Sequence, residues 1–228
     1  MVNGFDRIVV AVPEPGSAEA AYRELLGRPP LAYEPGVVAT QSHCFDLGNT
    51  VIELVPGEKD HSYIRGVVFA APDMAAATIP SSRGLDIRVC DGEATAALRA
   101  HVEPGELRVD HLVLRTGDAE ACIALFGEQL GMRLALDQTV PDWGGRMLFF
   151  RSGKLTLEII ESAEDHIVRD KFWGIAYQCA NIDKTCERLA ESGVQLSGIR
   201  AGRKAGTRVA TVKSHCLGLP TLLVQPAT

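Results

Sequence analysis

The side chains able to do chemistry in this sequence are dispersed, and their spacing excludes several kinds of site. Six cysteines, Cys44, Cys90, Cys122, Cys179, Cys186 and Cys216, lie far apart with no C-x-x-C pair. That pattern suits reduced thiols in a cytosol rather than a zinc knuckle or a disulfide framework. Cys122 and Cys186 fall on the apolar faces of expected helices and read as small core residues. The triplets Ser42-His43-Cys44 and Ser214-His215-Cys216 each set a hydroxyl, an imidazole and a thiol in succession. Neighbours on a strand point to opposite faces, so the triplets read as traces of a repeat and not as a nucleophile with its base. His61, His101 and His166 fall in expected connections and read as surface residues.

A second group of side chains suits ligand binding. Trp143, Arg146, Phe150, Arg151, Phe172, Trp173 and Tyr177 cluster in one stretch of the chain and offer aromatic walls with a cation for an oxygen-rich or aromatic molecule. Ordinary core packing is the competing reading for each aromatic. Arg146 alternates with Leu148 and Phe150, whereas Met147, Phe149 and Arg151 take the opposite face, and the pattern leaves open which face meets a cavity. Arg200, Arg203, Lys204, Arg208 and Lys213 surround Gly202 and Gly206, as an anion cradle or a solvated hairpin would.

Composition narrows the partner. A formal charge of -6 without a Lys/Arg-rich run gives no electrostatic reason to expect nucleic acid or an anionic membrane. No apolar run approaches the ~20 residues that span a bilayer. Residues 1–16 lack the basic start and long apolar stretch of a signal peptide, so a cytoplasmic protein with a small-molecule ligand is the expectation.

The elements that must position these residues recur along the chain. Residues 6–12 form a β-rich run, followed by Ser17 as an expected N-cap and by Ala18, Ala21, Tyr22, Leu25 and Leu26 at helical spacing up to Gly27. Three short strand signals follow, at residues 37–39, 43–47 and 50–55. The same order returns at residues 109–114, with a helix carrying Cys122, Leu125, Phe126 and Leu130 inward to Gly131, then strands at 132–136, 146–151 and 155–160. It returns again at residues 174–178, with Ile182, Cys186, Leu189 and Ala190 inward before Gly193 and a last strand at 222–224. The spans from Arg7 to Gly27, His111 to Gly131 and Gly174 to Gly193 agree to within one residue. Residues 62–106 read as a shortened copy: a strand at 66–71, Pro80-Ser81-Ser82 breaking any helix from Asp73, and a clear strand only at 85–89.

Asp110-His111 opening a unit, the Leu130-Gly131 helix end and Leu157-Glu158-Ile159 in a last strand, with Ile52-Glu53-Leu54 as its counterpart, resemble the vicinal oxygen chelate superfamily of glyoxalases, bleomycin resistance proteins and extradiol dioxygenases. Residues 132–151 and 202–226 resemble a bacterial branch usually labelled only by superfamily. The resemblance implies an α+β fold of tandem βαβββ modules forming curled mixed sheets around a cavity. It divides the chain into a glyoxalase-like half at 1–106, with the shortened module, and a second half at 107–228 with two complete modules. Units of this type can also pair between chains, which leaves a homodimer open.

In that superfamily a divalent metal is held by residues on first and last strands. Carried over, those positions are His111 and Glu158 in the third unit, Arg7 and Glu53 in the first, and Gly174 and about Leu222 in the fourth. An imidazole and a carboxylate suit Fe, Mn, Ni or Zn, but a protein site normally supplies three ligands or more. Gln178 is the nearest further oxygen, and it doubles as a substrate-binding candidate with Arg146, Phe150, Trp173 and Arg208. Arg7 cannot ligate a metal, because its guanidinium is always protonated, so an Arg7–Glu53 ion pair is expected. Two function classes stay open: a metal-dependent lyase, isomerase or dioxygenase acting on a small oxygenated substrate, with Glu158 as ligand or general base, and a metal-free protein that binds or sequesters a small molecule. Gly174 and Leu222 weigh against the extradiol and glyoxalase arrangements.

Overall fold

The structure is a computed structural model, and it describes residues 1–31, 42–93, 95–96, 105–140, 145–162 and 167–227. The expected strand at 37–39, the turn containing Trp143, and His101 and His166 lie outside the described residues.

Strand β1 (Gly4–Val12) is rich in β-branched residues and leads into helix α1 (Pro15–Leu26). The cap of α1 is Glu14, not Ser17: its carboxylate accepts from the Gly16 and Ser17 N–H groups at 3.3 and 2.7 Å. Pro15 presets the first helical φ, so the helix begins earlier than the serine suggests. Ser17 is already inside, and its hydroxyl donates back to the Glu14 carbonyl at 3.2 Å. Gly27 ends the helix at φ +65°, as the sequence predicts. β2 (His43–Asp46) and β3 (Val51–Pro56) complete the module, with β3 parallel to β1.

The shortened module consists of β4 (Tyr63–Ala70), β5 (Ala77–Ile79) and β6 (Asp86–Cys90), with β6 parallel to β4 and β5 antiparallel to β6. β5, only three residues long, carries no strand signal in the sequence.

The third module opens with β7 (Arg108–Thr116). Asp118 then caps a helix, α2 (Ala119–Cys122), which continues as a π-helix over Ile123–Gln129. The wider turn buries Cys122, Phe126 and Leu130 and leaves Leu125 only half-buried, where a 3.6-residue period points it inward. β8 (Arg133–Val140), β9 (Gly145–Ser152) and β10 (Leu155–Ser162) follow. The fourth module is β11 (Lys171–Gln178), α3 (Ile182–Glu191), β12 (Arg200–Ala201), β13 (Arg208–Val212) and β14 (Thr221–Gln225). Ser42-His43-Cys44 runs into β2, whereas Ser214-His215-Cys216 lies in the turn after β13 with His215 at φ +61°. The two triplets therefore occupy different places in their modules and are no trace of the repeat.

Each module pairs its first and last strands in parallel, and two modules join through antiparallel first strands, β1 with β4 and β7 with β11. The result is two curled mixed sheets, ordered β2-β3-β1-β4-β6-β5 and β8-β9-β10-β7-β11-β14-β13-β12 among the named strands, the second written here from its β8 edge. One hydrophobic core joins the helix-bearing faces of both sheets, drawing on Ile8, Val10, Tyr22, Phe69, Leu112, Phe126, Phe150 and Tyr177. The halves are also pinned by polar contacts. Asn49 pairs with both backbone groups of Val109, and Arg83 reaches Asp170 at 2.7 Å. Among the described residues all six cysteines are free thiols, and no helix is long and apolar enough to cross a membrane.

Candidate functional site

With one face of each sheet given to the shared core, period-2 alternation assigns residues to the other: in the first sheet it carries a second buried cluster of Val9, Ala11, Val55 and Val68, and in the C-terminal sheet it is the more open face, although Met147 and Ala176 on it are buried. Leu148 and Phe150 of β9 lie in the core, so Met147, Phe149 and Arg151 face the open side. Leu157 and Ile159 of β10 are core residues, which turns Thr156, Glu158 and Ile160 outward. On β7, Leu112 and Leu114 point to the core and His111, Val113 and Arg115 to the open face. The register confirms the assignment, because His111 pairs directly with Thr156 on one side and Ala176 on the other.

His111 is the centre of this face. Its Nε2 lies 3.6 Å from Glu158 Oε2, and its Nδ1 lies 2.8 Å from Asp110 Oδ2, so a carboxylate flanks each ring nitrogen. The His111 and Glu158 side chains are 19% and 14% exposed, accessible enough to meet a ligand and sheltered enough to strengthen hydrogen bonds. Burial works to raise the Asp110 carboxyl, but the hydrogen bond and charge of His111, with Arg108 and Arg151 nearby, outweigh it and hold the group below its ordinary value.

Not every candidate converges here. Gln178 and Trp173 sit on β11 beside this face, but the Gln178 amide oxygen accepts from Arg108 at 2.8 and 3.2 Å. Trp173 is 41% exposed, with the Arg115 guanidinium 5.9 Å from its ring centroid, at the reach of a cation–π contact. Phe150 is fully buried on the helix side, against Phe126. Arg146 turns to the same side, bonding Asp137 at 2.7 Å and Glu120 of α2 at 2.6 Å. Arg208 alternates with core residues Ala210 and Val212 and pairs with Asp183 of α3 at 2.6 Å. The structure therefore does not bring Arg146, Phe150 or Arg208 to His111. Asp110, which the sequence offers only as the residue before His111, joins the site through its hydrogen bond to Nδ1. A cavity of about 490 Å³ opens elsewhere, between Asp6, Asn49, Glu93 and Lys154, and contains none of the His111 face.

The first module repeats the arrangement with a different cation. Arg7 Nε lies 3.4 Å from both Asp6 Oδ2 and Glu53 Oε2, the ion pair expected from the sequence.

The donor set stops short of a metal site. Facing His111 and Glu158 from β11 and β14 are Gly174, Ala176, Leu222 and Val224, none of which can ligate, and Gln178, whose amide oxygen is taken by Arg108. A Cβ on Gly174 would lie 2.6 Å from the Pro220 carbonyl oxygen, so backbone closes that position to any side chain. Among the described residues no three His, Cys, Asp or Glu side chains gather as a metal site. Two donors do not fit a resident divalent ion, which takes three protein ligands or more.

Residues 110–211, which contain this face from His111 to β13, match the family model described as Glyoxalase/Bleomycin resistance protein/Dioxygenase superfamily. Over that stretch the chain is similar to that superfamily. The likeness of fold to solved structures extends over both halves. A triple mutant of 4-hydroxymandelate synthase from Streptomyces coelicolor superposes with a TM-score of 0.74 at 15% identity, covering 99% of this chain and 93% of that one. A xylose isomerase-like TIM barrel/4-hydroxyphenylpyruvate dioxygenase fusion protein matches with a TM-score of 0.65 at 14% identity, covering 99% of this chain and 49% of that one. Methylmalonyl-CoA epimerase from Mycobacterium tuberculosis covers 53% of this chain and 88% of its own at 22% identity, with a TM-score of 0.43. At these identities the likeness is one of fold, and activity depends on the site. No curated protein sequence matches the chain.

Proposed function

We propose that the open face of the C-terminal sheet binds a small oxygenated molecule, and that Asp110, His111 and Glu158 hydrogen-bond it without a metal held by the protein. The observation that carries this reading is the closure of the fourth module. Gly174, pressed against Pro220, and Leu222 occupy the positions equivalent to His111 and Glu158, so the His111–Glu158 pair is left to a ligand. Trp173 supplies an exposed aromatic surface beside it. Both modules of the face come from one chain, so the site is complete without a second copy, and a homodimer would add to it rather than build it.

Metal uptake tests this reading. Protein purified without chelator is titrated with Mn(II), Ni(II), Zn(II) and, anaerobically, Fe(II), alongside His111→Ala and Glu158→Ala. The expected result is no stoichiometric uptake that either substitution abolishes. One ion per chain, lost in both variants, would overturn it.

A second reading rests on the flanked imidazole. A histidine between two carboxylates can pass a proton to or from a bound substrate, with Glu158 as base, which is isomerase-type chemistry. Solvent deuterium entering the α-carbon of a 2-hydroxy ketone, faster with this protein than with Glu158→Gln, is its signature. Equal exchange with both proteins leaves the binding protein.

A further inference from the structure

Across the C-terminal sheet one transverse row can be followed strand by strand. Arg133 pairs with Arg151, Arg151 with Thr156, and Thr156 with His111. Direct partners share a face, so two guanidinium groups stand side by side on the same face as His111. Like charges directly opposite destabilise a sheet, and these two are not neutralised locally. Among the described residues neither Arg133 nor Arg151 makes a hydrogen bond or ion pair, and both are exposed. Asp110 feels the charge of Arg151, but its carboxylate is already engaged by His111.

The next row on the same face is apolar except at Glu158. Leu136 pairs with Phe149, Phe149 with Glu158 and Glu158 with Val113. Leu136 and Trp173, 44% and 41% exposed, are two of the four exposed large hydrophobic side chains among the described residues, and they bracket this row. A cationic pair at one edge and an apolar strip running past His111 toward Trp173 describe the two ends of one ligand.

Resting on the ligand-site reading above, we propose that Arg133 and Arg151 form an anion subsite. The ligand of the His111 face then carries a carboxylate at one end and an aryl-sized apolar body at the other. Strands lie about 4.8 Å apart, so Arg151 and His111 are roughly 10 Å apart across two spacings. A carboxylate joined to an aromatic ring by a short chain bridges that distance with its middle atoms near His111 and Glu158.

The probes are 4-phenylbutyrate and its neutral amide, 4-phenylbutyramide, titrated into the full chain by calorimetry and tryptophan fluorescence. Charge-assisted Arg–carboxylate hydrogen bonds predict that the carboxylate binds at least about tenfold more tightly than the amide. The double variant Arg133→Gln/Arg151→Gln is expected to lose that preference, while Trp173→Ala weakens both probes alike. The same double variant should melt no lower than wild type, since it removes a repulsion, so misfolding cannot pass for a lost subsite. Equal binding of both probes to wild type, or a preference that survives in the double variant, overturns the anion subsite. If Trp173→Ala and His111→Ala still weaken both probes in that case, the ligand face stands and only the carboxylate assignment falls. Binding of neither probe overturns the proposed ligand class, and the metal-uptake result decides the metal-free reading separately.

Discussion

Arg83→Ala tests how the two halves hold the site together. Arg83 belongs to the turn before β6, and its Nε donates at 2.7 Å to Asp170, which immediately precedes β11. Asp170 is 3% exposed and also accepts from the Thr116 hydroxyl at 2.8 Å, at the end of β7. The clamp therefore fixes the β7/β11 pair that carries His111, Arg115 and Trp173. Truncating Arg83 strands a buried carboxylate, and removing one partner of such a pair costs about 3 kcal/mol at the lower end of the usual range, which suits a pair that keeps one Thr116 bond. For a chain of this size that is a fall in Tm of roughly 6–12 °C. The shared core predicts one unfolding transition for both halves, followed by circular dichroism and by fluorescence. Arg83→Met/Asp170→Leu, which removes both charges, should recover most of the loss. A fall of less than about 2 °C for Arg83→Ala, or two separate transitions in wild type, would refute the clamp, since the loss expected from a stranded charge would then be absent.

Asn49→Ala removes the paired hydrogen bonds to the Val109 backbone, 2.6 and 3.2 Å, and is expected to lower stability in urea by about 1–3 kcal/mol. The folded value of Asp110 is depressed, so its contribution is complete above its unfolded value of about 3.9 and is lost as pH falls through the lower folded value. Urea midpoints measured from pH 6 down to 3 should therefore fall less steeply for Asp110→Asn than for wild type. Burial pushes the Cys122 thiol up to about 12. Iodoacetamide at pH 8, read by peptide mass mapping, should modify it on the order of a thousandfold more slowly than an ordinary exposed thiol, and comparable labelling would contradict its burial.

The repeat was legible because apolar periodicity and the helix-ending glycines Gly27, Gly131 and Gly193 are local signals, each glycine indeed adopting positive φ. The Arg7–Glu53 pair was legible because it follows from spacing between equivalent strands. What escaped the sequence depends on register or on packing direction. Arg146 and Met147 are neighbours on a strand with large side chains on both faces, and only the positions of Leu148 and Phe150 in the core settle which of them turns outward. The Arg133–Arg151 pairing passes through an irregularity between Leu134 and Leu136, which shifts the register by a residue and has no composition signal. The missing fourth-module donor was visible as Gly174, but the reason for the glycine, the Pro220 carbonyl, is a tertiary contact.

That contact has a counterpart in the other sheet. Gly66 of β4 pairs with Val9 as Gly174 of β11 pairs with Val113, and a Cβ on Gly66 would collide with the Asp86 carbonyl oxygen. In both sheets the second module presses its first strand so closely on its last that no side chain fits, leaving the first module alone to furnish the site. The first sheet closes its site with the Arg7–Glu53 ion pair, whose guanidinium offers no lone pair to a metal. The second keeps a titratable histidine, and the missing element of a metal site is therefore one donor rather than a different fold. Gly174→His, the substitution suggested by module equivalence, should destabilise the chain and gain no metal, because the imidazole must displace Pro220 backbone. Thr156→His instead adds a donor directly opposite His111, on the strand and face of Glu158, at a half-buried position. It should confer uptake of one Ni(II) or Zn(II) per chain in calorimetry, abolished again by His111→Ala. Uptake by Gly174→His and none by Thr156→His would show that the open face is not arranged as the strand register places it.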